Sequence, residues 1–160
     1  MRSLEFLSRL PFDGLALGGS FGRDRAELLA MLADVTPRMP TSKPRHLLGI
    51  ADMPSIEAAV PFGLDTFDSC YPTRLSRHGT ALTVAGAKLD LRKSKYRLDF
   101  TRPLDPDCDC ATCRTHSVGY LRHLVKARES AAGLLLTQHN IRAMALFMER
   151  MRGLILADEL

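Results

Sequence analysis

An α/β fold with a parallel sheet is what the sequence predicts, and three observations predict it. Short apolar, strand-like runs alternate with segments of helical periodicity. Glycine or proline punctuates their junctions, and the order strand, helix, strand, helix, strand is complete by Asp68. Such an order calls for right-handed crossovers, because a right-twisted strand feeding a helix packs back on its sheet only that way. Three strands close neither a barrel nor a doubly wound sheet, so they read as part of a larger one.

The elements follow in order. Leu4, Leu7 and Leu10 fall at helical spacing before Pro11 ends the run. Gly14 to Leu17 is an apolar strand entering Gly18-Gly19. Arg23 to Val35 reads as a helix with Ala26, Leu29, Ala30 and Ala33 on one face, and a proline-bearing loop runs from Thr36 to Pro44. His46 to Ile50 has the texture of a buried strand, Pro54 to Phe62 of a short helix, and Leu64 to Asp68 of a third strand. Tyr71 to Gly79 reads as a loop. Ala81 to Val84 and Lys88 to Arg92 flank Ala85-Gly86 as a hairpin. Val118 to Arg128 and Glu129 to Leu156 read as helices, the second with Ile141, Met144, Met148, Met151 and Ile155 as a core stripe.

With 160 residues, 46% of them apolar, the chain has the size of one ordinary globular domain. No apolar run approaches a membrane span, and Glu5 and Arg9 interrupt what a signal peptide would need as its hydrophobic stretch. A cytoplasmic protein with no membrane partner is expected. The formal charge of +4 is unevenly placed: Tyr71 to Leu104 holds eight Lys or Arg against Asp90 and Asp99. A basic block of this kind is often only a solvated face, but beside a metal knuckle it favours a phosphate-backbone partner.

That knuckle is Cys108-Asp109-Cys110-Ala111-Thr112-Cys113, answered by His139. Three thiols and one imidazole supply the ligands of a closed tetrahedral zinc site, and a reducing compartment would keep those thiols free. An iron-sulfur cluster would ordinarily want a fourth thiolate, and Cys70 lies far off in the sequence. Gly18-Gly19-Ser20-Phe21-Gly22 lacks the dinucleotide-binding spacing and its later acidic residue, which leaves close approach of a ligand to the backbone, or simply a tight turn. Asp68 closes the third strand, where barrel enzymes place catalytic side chains; a salt-bridged carboxylate near Arg74 or Arg77 is the plainer alternative.

Phe67-Asp68-Ser69-Cys70-Tyr71-Pro72-Thr73-Arg74-Leu75-Ser76-Arg77-His78-Gly79, the cysteine knuckle, Tyr120-Leu121-Arg122-His123-Leu124 and His139-Asn140 together resemble the C-terminal half of the tRNA-guanine transglycosylase (queuine tRNA-ribosyltransferase) family. Gly18-Gly19 and Arg45-His46-Leu47-Leu48-Gly49 resemble that family's barrel strands. The resemblance implies the C-terminal part of a TIM (β/α)8 barrel over residues 1–80, an inserted zinc-binding subdomain over 81–139, and a C-terminal helix returning to the barrel over 140–160. It implies a pentosyltransferase of queuosine tRNA modification that exchanges guanine at the tRNA wobble position for a 7-deazaguanine, preQ1 or queuine. By the same resemblance Asp68 is the nucleophile, Gly18, Gly19 and Leu48 line the base pocket, Arg74 and Arg77 grip the anticodon stem-loop, and Cys108, Cys110, Cys113 and His139 hold one structural Zn2+.

The family's general acid/base aspartate lies in an N-terminal half outside these residues. The resemblance therefore implies a fragment inactive by itself, acting as a homodimer or with the missing half. A non-catalytic, zinc-stabilised tRNA-binding partner subunit is the alternative from another class.

Overall fold

Parallel pairing organises the first part of the chain. The structure, a computed structural model, describes residues 2–160 and divides into two units, one ending at Ser69 and the other spanning Cys70–Glu159. Each has its own core.

The first unit runs α1 (Arg2–Ser8), β1 (Leu15–Leu17), α2 (Arg25–Val35), β2 (Arg45–Leu47), α3 (Met53–Ala59) and β3 (Thr66–Phe67). Its sheet has the order β1-β2-β3 with both pairings parallel, as the alternation of strands and helices predicts. α2 and α3 each begin on a side-chain cap. Asp24 accepts from the Glu27 N–H at 3.0 Å, and Asp52 accepts from the Ser55 N–H at 3.2 Å, with Pro54 in the first turn where its missing N–H costs nothing. Leu28, Leu32, Leu47, Ala59 and Leu64 form the core. Here the expected face of α2 is corrected: Ala26, Ala30 and Ala33 are exposed, and Leu28 and Leu32 point inward. Branched leucines bury more apolar surface than alanines, and that difference sets the helix rotation.

The second unit contains α4 (Tyr71–Arg77), β4 (Thr80–Leu82), β5 (Lys88–Asp90), α5 (Ala111–Thr115), α6 (Val118–Ala127) and α7 (Ser130–Leu156). β4 and β5 form the expected antiparallel hairpin. The expected loop from Tyr71 to Gly79 is instead mostly helix. Pro72 occupies its first turn rather than breaking it, and the turn residue Gly79, at φ 70°, follows its end. Ala81, Leu89, Leu91, Leu104, Val118, Leu121 and Leu136 pack as the core.

The stripe expected on α7 is displaced as well. Its buried residues are Ala132, Leu136, His139, Asn140, Ala143, Phe147 and Met151, whereas Ile141 and Ile155 are each 51% exposed. Of the apolar stripe only Met151 is fully inside. The reason is polar. His139 and Asn140, both wholly buried, turn the helix so that their side chains reach β4.

Asn140 is a clamp. Its carbonyl oxygen accepts from the Leu82 N–H at 2.8 Å, and its amide donates toward the carbonyls of Pro72 and Thr80 and the Ser76 hydroxyl, each at 3.0 Å. One side chain thus ties α4, β4 and α7 together. Asn140→Ala would leave several buried backbone groups without partners at ~1–3 kcal/mol apiece. The expected loss is about 3 kcal/mol or more, read as a lowered denaturation midpoint in zinc-loaded protein.

Candidate functional site

Cys110 is the N-cap of α5, and its sulfur accepts from the Cys113 N–H at 3.4 Å, so the knuckle turn itself presents both thiols. α7 brings His139 against them, with Nδ1 3.6 Å from Cys110 Sγ and 3.3 Å from Cys113 Sγ. The donor atoms of Cys108, Cys110, Cys113 and His139 all lie within 4.8 Å of one another. Ligands around a tetrahedral zinc, at ~2.3 Å for sulfur and ~2.0 Å for nitrogen, stand roughly 3.5–3.8 Å apart. The set therefore fits zinc with little movement, and with four protein ligands the site is closed and structural.

The surroundings fit the same ion. His139 Nε2 donates to the Leu82 carbonyl at 2.7 Å, which leaves Nδ1 with its lone pair toward the thiols. Burial lowers the His139 pKa, favouring the neutral imidazole that a metal needs. Burial also pushes the Cys108 thiol up to about 11 and the Cys113 thiol up to about 12, so without a cation both would stay protonated. Outside the ligand ring, Arg142 on α7 grips Asp109 of the knuckle through both carboxylate oxygens, at 2.6 and 3.0 Å, and also bonds Glu149 at 3.0 Å. Thr112, fully buried, anchors α5 to α7 through the Leu135 carbonyl at 3.0 Å.

The second cluster lies on the first unit, at the C-terminal ends of its strands. Parallel pairing puts Gly18-Gly19 after β1, Leu48-Gly49 after β2 and Asp68 after β3 on one edge of the sheet. Gly18 and Leu48 touch so closely that a Cβ on Gly18 would stand 2.6 Å from Leu48 Cδ1, while Gly19, at φ 115°, faces open space. Leu48 is 44% exposed. This edge thus joins the candidate nucleophile to all three candidate base-pocket positions.

Asp68 takes hydrogen bonds from the Gly49 N–H and from His46 Nε2, both at 3.0 Å and both on Oδ1. Oδ2 has no partner among the described residues. Across the sheet, His46 Nδ1 meets the Thr66 hydroxyl at 2.8 Å, so Nε2–H donates to Asp68 while Nδ1 accepts from Thr66. His46 is the residue that sequence reasoning missed. Nothing local marks it, because its pairing with Thr66 is a matter of strand register. The Gly49 N–H first, and the His46 hydrogen bond second, hold the Asp68 carboxyl below its ordinary value. A depressed carboxyl stabilises the fold above the unfolded value of about 3.9, and that contribution fades as pH falls through the lower, folded one. His46→Phe is therefore expected to move the Asp68 titration up toward the ordinary range, followed through the side-chain carboxyl carbon by NMR.

Arg74 and Arg77 both sit exposed in the last turn of α4, on the second unit. Among the described residues no helix is long and apolar enough to cross a membrane.

A parallel sheet with a partnered carboxylate at its C-terminal edge, followed by a Cys3His unit, defines a zinc-binding α/β protein. The family model described as queuine tRNA-ribosyltransferase matches residues 1–160. The chain belongs to that family. It is 46% identical over 156 residues to a queuine tRNA-ribosyltransferase of Protochlamydia amoebophila, covering 98% of this chain and 40% of the relative. A protein of the same name from Chlamydia muridarum is 43% identical over 157 residues, covering 98% and 42%. One from Leptospira biflexa is 42% identical over 153 residues, covering 95% and 41%. The chain thus spans about two fifths of the length of these curated relatives.

Proposed function

We propose that this chain carries the nucleophile of a tRNA-guanine transglycosylase, which exchanges guanine at the tRNA wobble position for a 7-deazaguanine such as preQ1 or queuine. The observation that carries this reading is the carboxylate of Asp68, tethered through one oxygen and without a partner at the other among the described residues, on the same sheet edge as Gly19, which faces open space. Oδ2 attacks ribose C1′ as the bond from C1′ to the guanine nitrogen breaks, and the guanine leaves with a proton taken from an acid. The incoming base gives its ring N–H proton to the conjugate base of that acid, attacks C1′ and expels the Asp68 carboxylate as the bond from C1′ to Oδ2 breaks. Two inversions restore the original anomer, as in retaining glycoside hydrolysis. The two hydrogen bonds on Oδ1 keep Asp68 ionised for the attack and make it a better leaving group in the second step.

In this reading Gly18, Gly19 and Leu48 line the base pocket, and Arg74 and Arg77 bind phosphates of the anticodon stem-loop. The three parallel strands belong to a (β/α)8 barrel. Zinc takes no part in the bond changes; Cys108, Cys110, Cys113 and His139 hold it to brace the unit that meets the tRNA. Uptake of labelled guanine into tRNA tests the proposal. The 160-residue chain alone is expected to give none, and the chain joined to the N-terminal three fifths of the Protochlamydia amoebophila relative is expected to give robust exchange. A joined protein that folds, binds tRNA and exchanges nothing would instead support a tRNA-binding subunit without catalysis.

A further inference from the structure

Two hollows on the second unit, of ≈330 and ≈400 Å³, share Arg77, Gly79, Val125 and Arg128 in their walls, and so form one cleft beside the C-terminal ends of α4 and α6. Its floor is Gly79, buried under the Val125 side chain. Gly79 lies so near α6 that a Cβ there would stand 2.7 Å from Val125 Cγ1. The walls are positive: Arg77, Lys126 and Arg128 are all exposed, and none forms an ion pair among the described residues. Arg92, also on the wall, is held by Asp90, and Glu129 is the carboxylate at the rim.

Arg128 is out of place for a helix end. α6 terminates on it in the left-handed region, at φ 59° and ψ 32°, with its N–H donating to the carbonyls of Leu124 and Val125. Glycine is the usual residue there, because a Cβ in that conformation costs on the order of 1 kcal/mol. The capping is done by the backbone, and a glycine would do it as well. A cation to complement the helix dipole is already present in the last turn as Lys126. Neither capping nor the dipole therefore accounts for an arginine at this position.

We propose that the cleft binds the phosphate backbone of RNA, with Arg128, Lys126 and Arg77 as its contacts. An open hollow with three unpaired cations on its walls suits a repeating phosphodiester better than a small anion, which would want buried polar groups to orient it. The inference rests on the tRNA reading above and adds to it a contact region centred on the end of α6.

The test is binding of a fluorescein-labelled anticodon-type RNA stem-loop to the zinc-loaded 160-residue chain, by anisotropy over a series of NaCl concentrations. Arg128→Gly is expected to raise the thermal midpoint and at the same time weaken RNA binding about 5- to 10-fold, with the salt slope reduced by about one. Lys126→Gln should weaken binding likewise, and Arg128→Lys should retain most of it. A merely structural Arg128 would move stability and leave affinity alone. If Arg74→Ala weakens binding while Arg128→Gly and Lys126→Gln change neither affinity nor slope, the cleft is overturned and the tRNA reading stands. Absence of any binding by the unsubstituted chain at low salt overturns the cleft too, and guanine uptake by the joined protein then judges the tRNA reading independently.

Discussion

Removing the metal is expected to unfold the unit from Cys70 to Glu159. The site joins the knuckle, α5 and α7, and through the Leu82 carbonyl on His139 it also joins β4. Zinc bound by such ligand sets contributes roughly 10–16 kcal/mol of apparent folding energy in small domains, comparable with or above the ~5–15 kcal/mol by which a whole domain is stable. Metal analysis should find one zinc per chain. A strong chelator, or Cys110→Ala, should abolish the cooperative thermal transition of this unit. Cys110 is the sharper choice, because its loss removes a ligand and the N-cap of α5 together. Cys70→Ala, at an exposed cysteine, should leave zinc content and transition unchanged. A folded, metal-free chain with an undisturbed transition would contradict the structural role.

Asp68→Asn is expected to abolish base exchange in the chain joined to the relative's N-terminal three fifths. An amide oxygen is a poor nucleophile toward C1′, and removing the nucleophile of a covalent mechanism costs on the order of 10⁴-fold or more in rate. The fold should be unaffected, since the side chain is exposed and asparagine can still accept from the Gly49 N–H. Two measurements belong together: labelled guanine uptake, and recovery of a protein–RNA adduct on a denaturing gel. Loss of both with tRNA affinity retained identifies Asp68 as the attacking group. Undiminished exchange by Asp68→Asn would remove the covalent step from the mechanism.

Much of this protein was legible in its residues, for a local reason. Three of the four zinc ligands fall within six positions, and the turn that joins them uses a cysteine as its own helix cap. The alternation of short apolar runs with helical segments likewise announces parallel pairing, because crossover geometry admits few alternatives. Two of the expectations that failed were cases in which polar groups or proline overrode apolar periodicity; the third, the face of α2, turned on leucines burying more apolar surface than alanines. Tyr71–Arg77 is helical because its proline stands in the first turn, and α7 buries His139 and Asn140 where a reading of hydrophobic spacing placed Ile141.

By itself, then, the sequence determined the zinc ligands, the parallel α/β character and the motifs of the family. Tertiary structure alone decided which imidazole nitrogen faces the metal, which partners hold Asp68 and which face of α7 is core. His46 reaches Asp68 only because β2 and β3 pair in one register, across 22 positions of chain. Asn140 reaches Leu82 across 58. Spacings of a few residues are set by the geometry of one turn; those of dozens are set by the packing of whole elements, which no local pattern records.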